Sequence, residues 1–207
     1  MAALNFTSPS DDREELARAE VYGLLAALFY APPNAELYAQ LQVAPTEAPA
    51  PGGFLEANWM EVVAASRRLS LDAVADEYAT LFEGIGKPEV FLYGSYYAAG
   101  HLNEKPLVEL RDALAALGLE RPAHVEETED HIASLCEVMR YLIAGDDLAV
   151  SNLAKQQVFF NDHMRRWVDS MTDAIATHPR ADFYRSVALF AHDFFAVEGQ
   201  GFDLLEV

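Results

Sequence analysis

The chain has 207 residues, 52% of them apolar, which is enough for a substantial core and makes one domain the simplest expectation. Its formal net charge of −19 argues against nucleic-acid binding, which needs a positive face toward phosphate; it serves solubility and also suits a cationic partner. The lone Cys136 excludes a disulfide framework, no run of about 18 apolar residues is present to span a membrane, and MAALNFTSPSDDREE lacks the basic start and apolar run of a secretory signal, so a reducing, cytoplasmic setting is expected.

Residues 1–12 read as a flexible polar arm, and Asp11, Asp12, Glu14 and Glu15 give a capping-box-like helix start. Leu16, Val21, Leu24, Leu25, Leu28 and Phe29 supply that helix's apolar stripe, and Pro32-Pro33 end it. A short helix from Asn34 to about Leu41 follows. The Pro/Gly-rich stretch 43–53 cannot form a regular ladder and reads as a surface loop. Helices are predicted over 54–68 and, capped by Ser70, over 71–82. Pro106 opens another through Leu107, Leu110, Leu114 and Leu117, with Gly118 placed to stop it. After a helix ending at Gly145, the pattern is helical from Leu148 to about Thr177 with a break or bend near Asn161; Phe159, Phe160, Met164, Trp167, Val168 and Met171 form its buried face. Asp182 starts a last helix through Phe183, Val187, Phe190 and Phe194 that is expected to end at Gly199. No stretch alternates as a strand does and no repeat is visible, so the expected fold is all-α, a single bundle of about eight to ten helices.

The stretch from Tyr78 to Met139 is the most unusual. After Phe82, Gly84, Gly86 and Pro88 open an irregular segment carrying Phe91, Tyr93, Tyr96 and Tyr97, rings that either fill a core or line a groove with their hydroxyls toward water. At its other end Thr128 is a good N-cap, which places Glu129 and Asp130 in a first helical turn, where negative charge suits the helix dipole. Ile132, Leu135, Cys136, Met139 and Ile143 then share a core stripe. His131 falls at its edge, and Asp130 and Glu137 fall toward solvent. The pair Asp130-His131 reads either as an ordinary helix start or as a recognition site on the border between core and water.

Three Asp/His neighbours, Asp130-His131, Asp162-His163 and His192-Asp193, raise the alternative of a metal-dependent helical hydrolase. Against it, adjacent helix residues point about 100° apart, and neither a His-Glu-x-x-His nor a Glu-x-x-His element is present. No metal or other cofactor and no catalytic residue is expected. The run Gly84-Ile85-Gly86-Lys87-Pro88 is not a phosphate loop, since its glycine spacing is short and proline replaces the Ser/Thr that holds magnesium. Ser95 has no nucleophile elbow around it.

Taken together, Tyr78, Phe82, Gly84 and Gly86, then Tyr93-Gly94-Ser95-Tyr96-Tyr97, then Glu129-Asp130-His131 with Met139, resemble the TorD/DmsD/NarJ family of cytoplasmic molybdoenzyme-maturation chaperones. Phe160, His163, Trp167 and Phe183-Tyr184 resemble its C-terminal half, so the likeness runs from about Glu15 to Phe195. Leu92 and Thr128 depart from it, standing where proline is expected. The resemblance implies a binding protein of TorD-like fold that recognises the twin-arginine leader, or the apo form, of a molybdenum-cofactor oxidoreductase subunit before export. A leader offers two guanidinium groups and an apolar segment, so its receptor needs carboxylates beside an apolar groove. Asp130 with Glu126, Glu127 and Glu129 is expected to supply the first, and Tyr93 and Tyr97 the second, with His131 and Ser95 completing the site. Monomer and domain-swapped dimer both remain open.

Overall fold

The helix signals become ten α-helices within the residues that the computed structural model describes, 9–46, 55–84, 87–100, 105–122 and 127–205. In order they are α1 (Pro9–Tyr30), α2 (Ala35–Val43), α3 (Glu56–Arg68), α4 (Leu71–Tyr78), α5 (Gly94–Ala99), α6 (Lys105–Ala116), α7 (Ile132–Ala144), α8 (Leu153–His163), α9 (Val168–Ala176) and α10 (Phe183–Asp203). A π-helical turn, Ala79–Glu83, continues α4. The described residues contain no strand, only an isolated antiparallel bridge between Tyr93 and His131. The fold is the expected all-α one.

Local chemistry explains most boundaries. Asn34, Ser70 and Asn152 cap α2, α4 and α8, each accepting a bond from the backbone N–H three residues on, at 2.9, 3.2 and 3.0 Å. Gly118 takes a left-handed φ of 73° beyond α6, and Leu119 N–H returns to the Leu114 carbonyl at 2.9 Å. The start of α10 is held from a distance. Glu77, on α4, accepts from the N–H groups of Asp182, Phe183 and Tyr184 at 2.8, 3.0 and 2.8 Å, a carboxylate at the positive end of the helix.

Helix α1 packs along α7, and α10 packs against α3 and α9. Tyr22, Leu25 and Phe29 of α1, Leu135, Met139 and Leu142 of α7, and Phe183, Val187 and Phe195 of α10 are buried in one contiguous core. A polar group crosses it near one end. Arg18 donates to both oxygens of Glu198, at 2.6 and 2.8 Å, and to Gln156 at 3.1 Å, while the Tyr22 hydroxyl donates to Glu198 at 3.0 Å. Burial opposes Arg18's charge, but Glu198 outweighs it and leaves the guanidinium's pKa raised. These residues tie α1, α8 and α10 together. A buried pair with every partner present is costly to break from one side.

Several expectations are corrected. Helix α1 begins at Pro9, so residues 9–12, read as part of a flexible arm, are helical, as a proline at a first helical position favours. Leu16 is 56% exposed, because the buried face of α1 starts at Ala19. The break expected near Asn161 falls at 164–167, between α8 and α9, and 148–151 precede the Asn152 cap. Helix α10 runs past Gly199 to Asp203, since Phe202 is buried and anchors the last turn. Of the expected loop 43–53, Val43 closes α2, and 47–53 lie outside the described residues, as does Glu126.

Candidate functional site

Helix α7 starts three residues later than a Thr128 cap would place it. His131 is the N-cap, and its Nδ1 accepts from Ala133 N–H at 3.2 Å. The reason is tertiary. Leu92 C=O accepts from Ile132 N–H at 2.8 Å, and Asp130 C=O accepts from Gly94 N–H at 3.0 Å, so the segment before α7 is paired with the segment before α5.

Asp130, expected on the solvent side, is 4% exposed between these segments. Its Oδ2 accepts from Ser95 N–H at 2.8 Å, and its Oδ1 accepts from the Thr128 hydroxyl at 2.6 Å. Asp130 therefore caps the first turn of α5 from across the chain, and Thr128, the expected cap of α7, orients Asp130 instead. The carboxylate is a joint between two segments.

His131 lies beside it, 4% exposed, with the Tyr93 ring edge-on at 5.0 Å. Burial pushes the imidazole down to about 4, although the Glu127 and Asp130 carboxylates pull the other way. An accepting Nδ1 fits a neutral ring. The Tyr93 hydroxyl donates to Glu127, and burial, reinforced by that carboxylate, pushes the phenol well up. Tyr97 is half-buried too: its ring stacks on Trp167 at 5.7 Å and its hydroxyl donates to the Phe91 carbonyl at 2.9 Å. Of the two readings of these rings, the hydroxyls of Tyr93 and Tyr97 do not follow the one that turns them to water, since both are engaged within the protein. Gly94 lets α5 close on Trp167, since a Cβ there would stand 3.0 Å from the indole. Ser95 is 1% exposed.

Glu129 is different, because it reaches outward. It lines a groove of about 520 Å³ formed by the C-terminal half of α1, the end of α6 and α7. Ala26, Leu114, Leu119, Ala133 and Val138 make its apolar surface, and Glu120, Glu129 and Glu137 are its carboxylates. Arg111 and Arg121 approach Glu129 at 2.9 and 3.5 Å. Burial raises the carboxyl's pKa, but Arg111, chiefly, and Arg121 overcome it and hold it below the ordinary range.

The structure accordingly brings Tyr93, Ser95, Asp130 and His131 into one interlocked cluster, sets Tyr97 behind it against Trp167, and puts Glu129 on its outer side. The groove itself escaped sequence reasoning. Its α1 wall lies more than 80 residues from the α6 and α7 walls, and the signal available was the pair Tyr30 and Tyr141, 51% and 39% exposed, which fall off their helices' core stripes. Elsewhere, His163 packs near Phe159 and His192 pairs with Asp193 at 3.3 Å. Among the described residues no three His, Cys, Asp or Glu side chains converge as ligands for a metal ion.

The helical fold is shared with a solved structure. A crystal structure described as a redox enzyme maturation protein from Archaeoglobus fulgidus superposes with a TM-score of 0.58 at 15% identity, covering 95% of this chain and 99% of that one. The chaperone protein TorD of Vibrio cholerae serotype O1 (strain M66-2) is 26% identical over 191 residues, 84% of this chain and 86% of that protein. TorD of Aliivibrio fischeri (strain ATCC 700601 / ES114) is 25% identical over 119 residues, 54% of this chain and 55% of that protein. Residues 47–173, more than half of the chain, match the family described as nitrate reductase delta subunit. The chain belongs to that family, the TorD/NarJ group of maturation chaperones.

Proposed function

We propose that this chaperone acts in the cytoplasm on a molybdenum-cofactor oxidoreductase subunit, and that it receives the subunit's twin-arginine leader in the groove between α1, α6 and α7. The observation that carries this reading is an apolar groove with Glu120, Glu129 and Glu137 as its carboxylates, set against the cluster that resembles the family's most specific motif. The apolar segment of a leader fits the groove, and its guanidinium groups fit the carboxylates. Asp130, His131 and Ser95 act by position: they fix the segment carrying Glu129. Tyr93 and Tyr97 brace the same segment from behind.

Calorimetric titration with a synthetic twin-arginine leader tests this. Replacing both arginines by alanine should weaken binding at least about tenfold, the scale of one charge-assisted hydrogen bond. Glu129→Gln should weaken it comparably while leaving the melting temperature nearly unchanged. Binding indifferent to both changes would remove the groove from the reading.

A further inference from the structure

Glu129 already carries guanidinium groups from its own chain. Arg111, in α6, donates Nε to Oε2 at 3.0 Å and sets Nη2 at 2.9 Å from the same oxygen. Arg121, beyond the end of α6, brings Nε to 3.5 Å from Oε1 and also reaches the Glu127 carbonyl at 3.4 Å. The Glu129 side chain is 13% exposed, against 48% for Arg111 and 35% for Arg121, so the carboxylate is the inner member and the arginines are the outer ones. Arg121 and Glu129 line the same groove.

We propose that Arg111 and Arg121 are internal competitors for Glu129, and that a twin-arginine leader binds by exchanging its two guanidinium groups for theirs. This rests on the reading of the groove as the leader's site. A carboxylate between two guanidinium groups offers little residual charge to a single incoming cation. A ligand with two arginines replaces both, whereas a lysine pair brings point charges without the planar fork and loses the exchange. The internal pair thus sets a threshold that selects for two guanidinium groups. It also blunts the salt dependence of binding at this carboxylate, because the exposed pairs that are broken offset part of those that are formed.

The test compares wild type, Arg111→Gln, Arg121→Gln and the double variant, titrated with a twin-arginine leader and its twin-lysine analogue at low and high salt, with melting curves for each. An exposed ion pair is worth up to about fivefold in an equilibrium constant. The double variant should therefore bind the twin-arginine leader roughly five- to tenfold more tightly, gain more for the lysine analogue, and show a steeper loss of affinity with salt, since it forms new pairs without breaking any. Unchanged or weaker binding by a double variant that melts like wild type overturns the exchange and makes the arginines supports for the 127–131 segment. If the double variant melts early, the single variants decide: each should gain about two- to threefold, and a folded single variant that gains nothing overturns it. Loss of binding in Glu129→Gln alongside such a result would leave the leader reading standing. No binding of either leader by any variant, wild type included, would overturn both.

Discussion

At Asp130 a buried carboxylate accepts bonds from two segments 35 and 2 residues away in sequence. Asp130→Ala leaves Ser95 N–H and the Thr128 hydroxyl without that acceptor in a dry place, and the expected cost is about 2–4 kcal/mol. Asp130→Asn keeps one acceptor and should cost less. Chemical denaturation of both variants checks the order, and equal stability of Asp130→Ala and wild type would mean the joint is dispensable. Leader affinity should fall in Asp130→Ala together with stability, unlike Glu129→Gln, where affinity alone falls. His131 adds a pH dependence. Its folded-state value of about 4 lies below the ordinary 6.5, so the unfolded chain takes up a proton first as pH falls. The contribution is complete above pH 6.5, declines as pH falls from 6.5 toward 4, and is gone below that. His131→Asn retains a capping side chain and should flatten the stability profile across that window, as urea midpoints between pH 7 and 4.5 would show.

The elements around the site meet at tight places. Gly84 closes the π-helical turn with φ at +51°, and a Cβ there would stand 2.3 Å from the Lys87 carbonyl oxygen. Gly84→Ala must therefore distort backbone, with an expected loss of about 1–3 kcal/mol or more. Gly94→Ala meets the Trp167 ring instead and should loosen α5 from the start of α9, a change visible in tryptophan fluorescence. A native-like spectrum in Gly94→Ala would contradict this packing. Elements differ in how plainly the sequence announces them. The Ser70 cap and the Gly118 stop are local signals and stand at the expected positions. The start of α7 is ambiguous in the sequence because Thr128 and His131 are both competent caps, and pairing with residues 92–94 makes the choice between them. Helix α5 is not announced by the sequence, because six residues, GSYYAA, are too few to show a period. The solvent-facing Asp130 was a consequence of the misplaced cap.

Over the whole molecule, the buried stripes of α7 and α10 were legible because 3.6-residue periodicity reports burial directly. The groove was not, since it is a property of how α1, α6 and α7 sit together. Cys136 offers a global probe. It is fully buried, and burial pushes its thiol well up, so it should resist thiol reagents in native buffer and react at the rate of opening in urea. Rapid labelling under native conditions would show that α7 opens locally. Circular dichroism should be dominated by helix, with no appreciable sheet signal.

Helix α1 also bears on how the chain is made. Its partner α7 begins about 100 residues after α1 ends, and Glu198, which pairs with Arg18, follows it by 180. At a synthesis rate of about 5–20 residues per second, the apolar face of α1 leaves the ribosome roughly 5–20 s before α7 can cover it. Arg18 waits longer still for its carboxylate. The face bearing Tyr22, Leu25 and Phe29 is therefore uncovered throughout that interval, although it is the one the finished fold buries most completely.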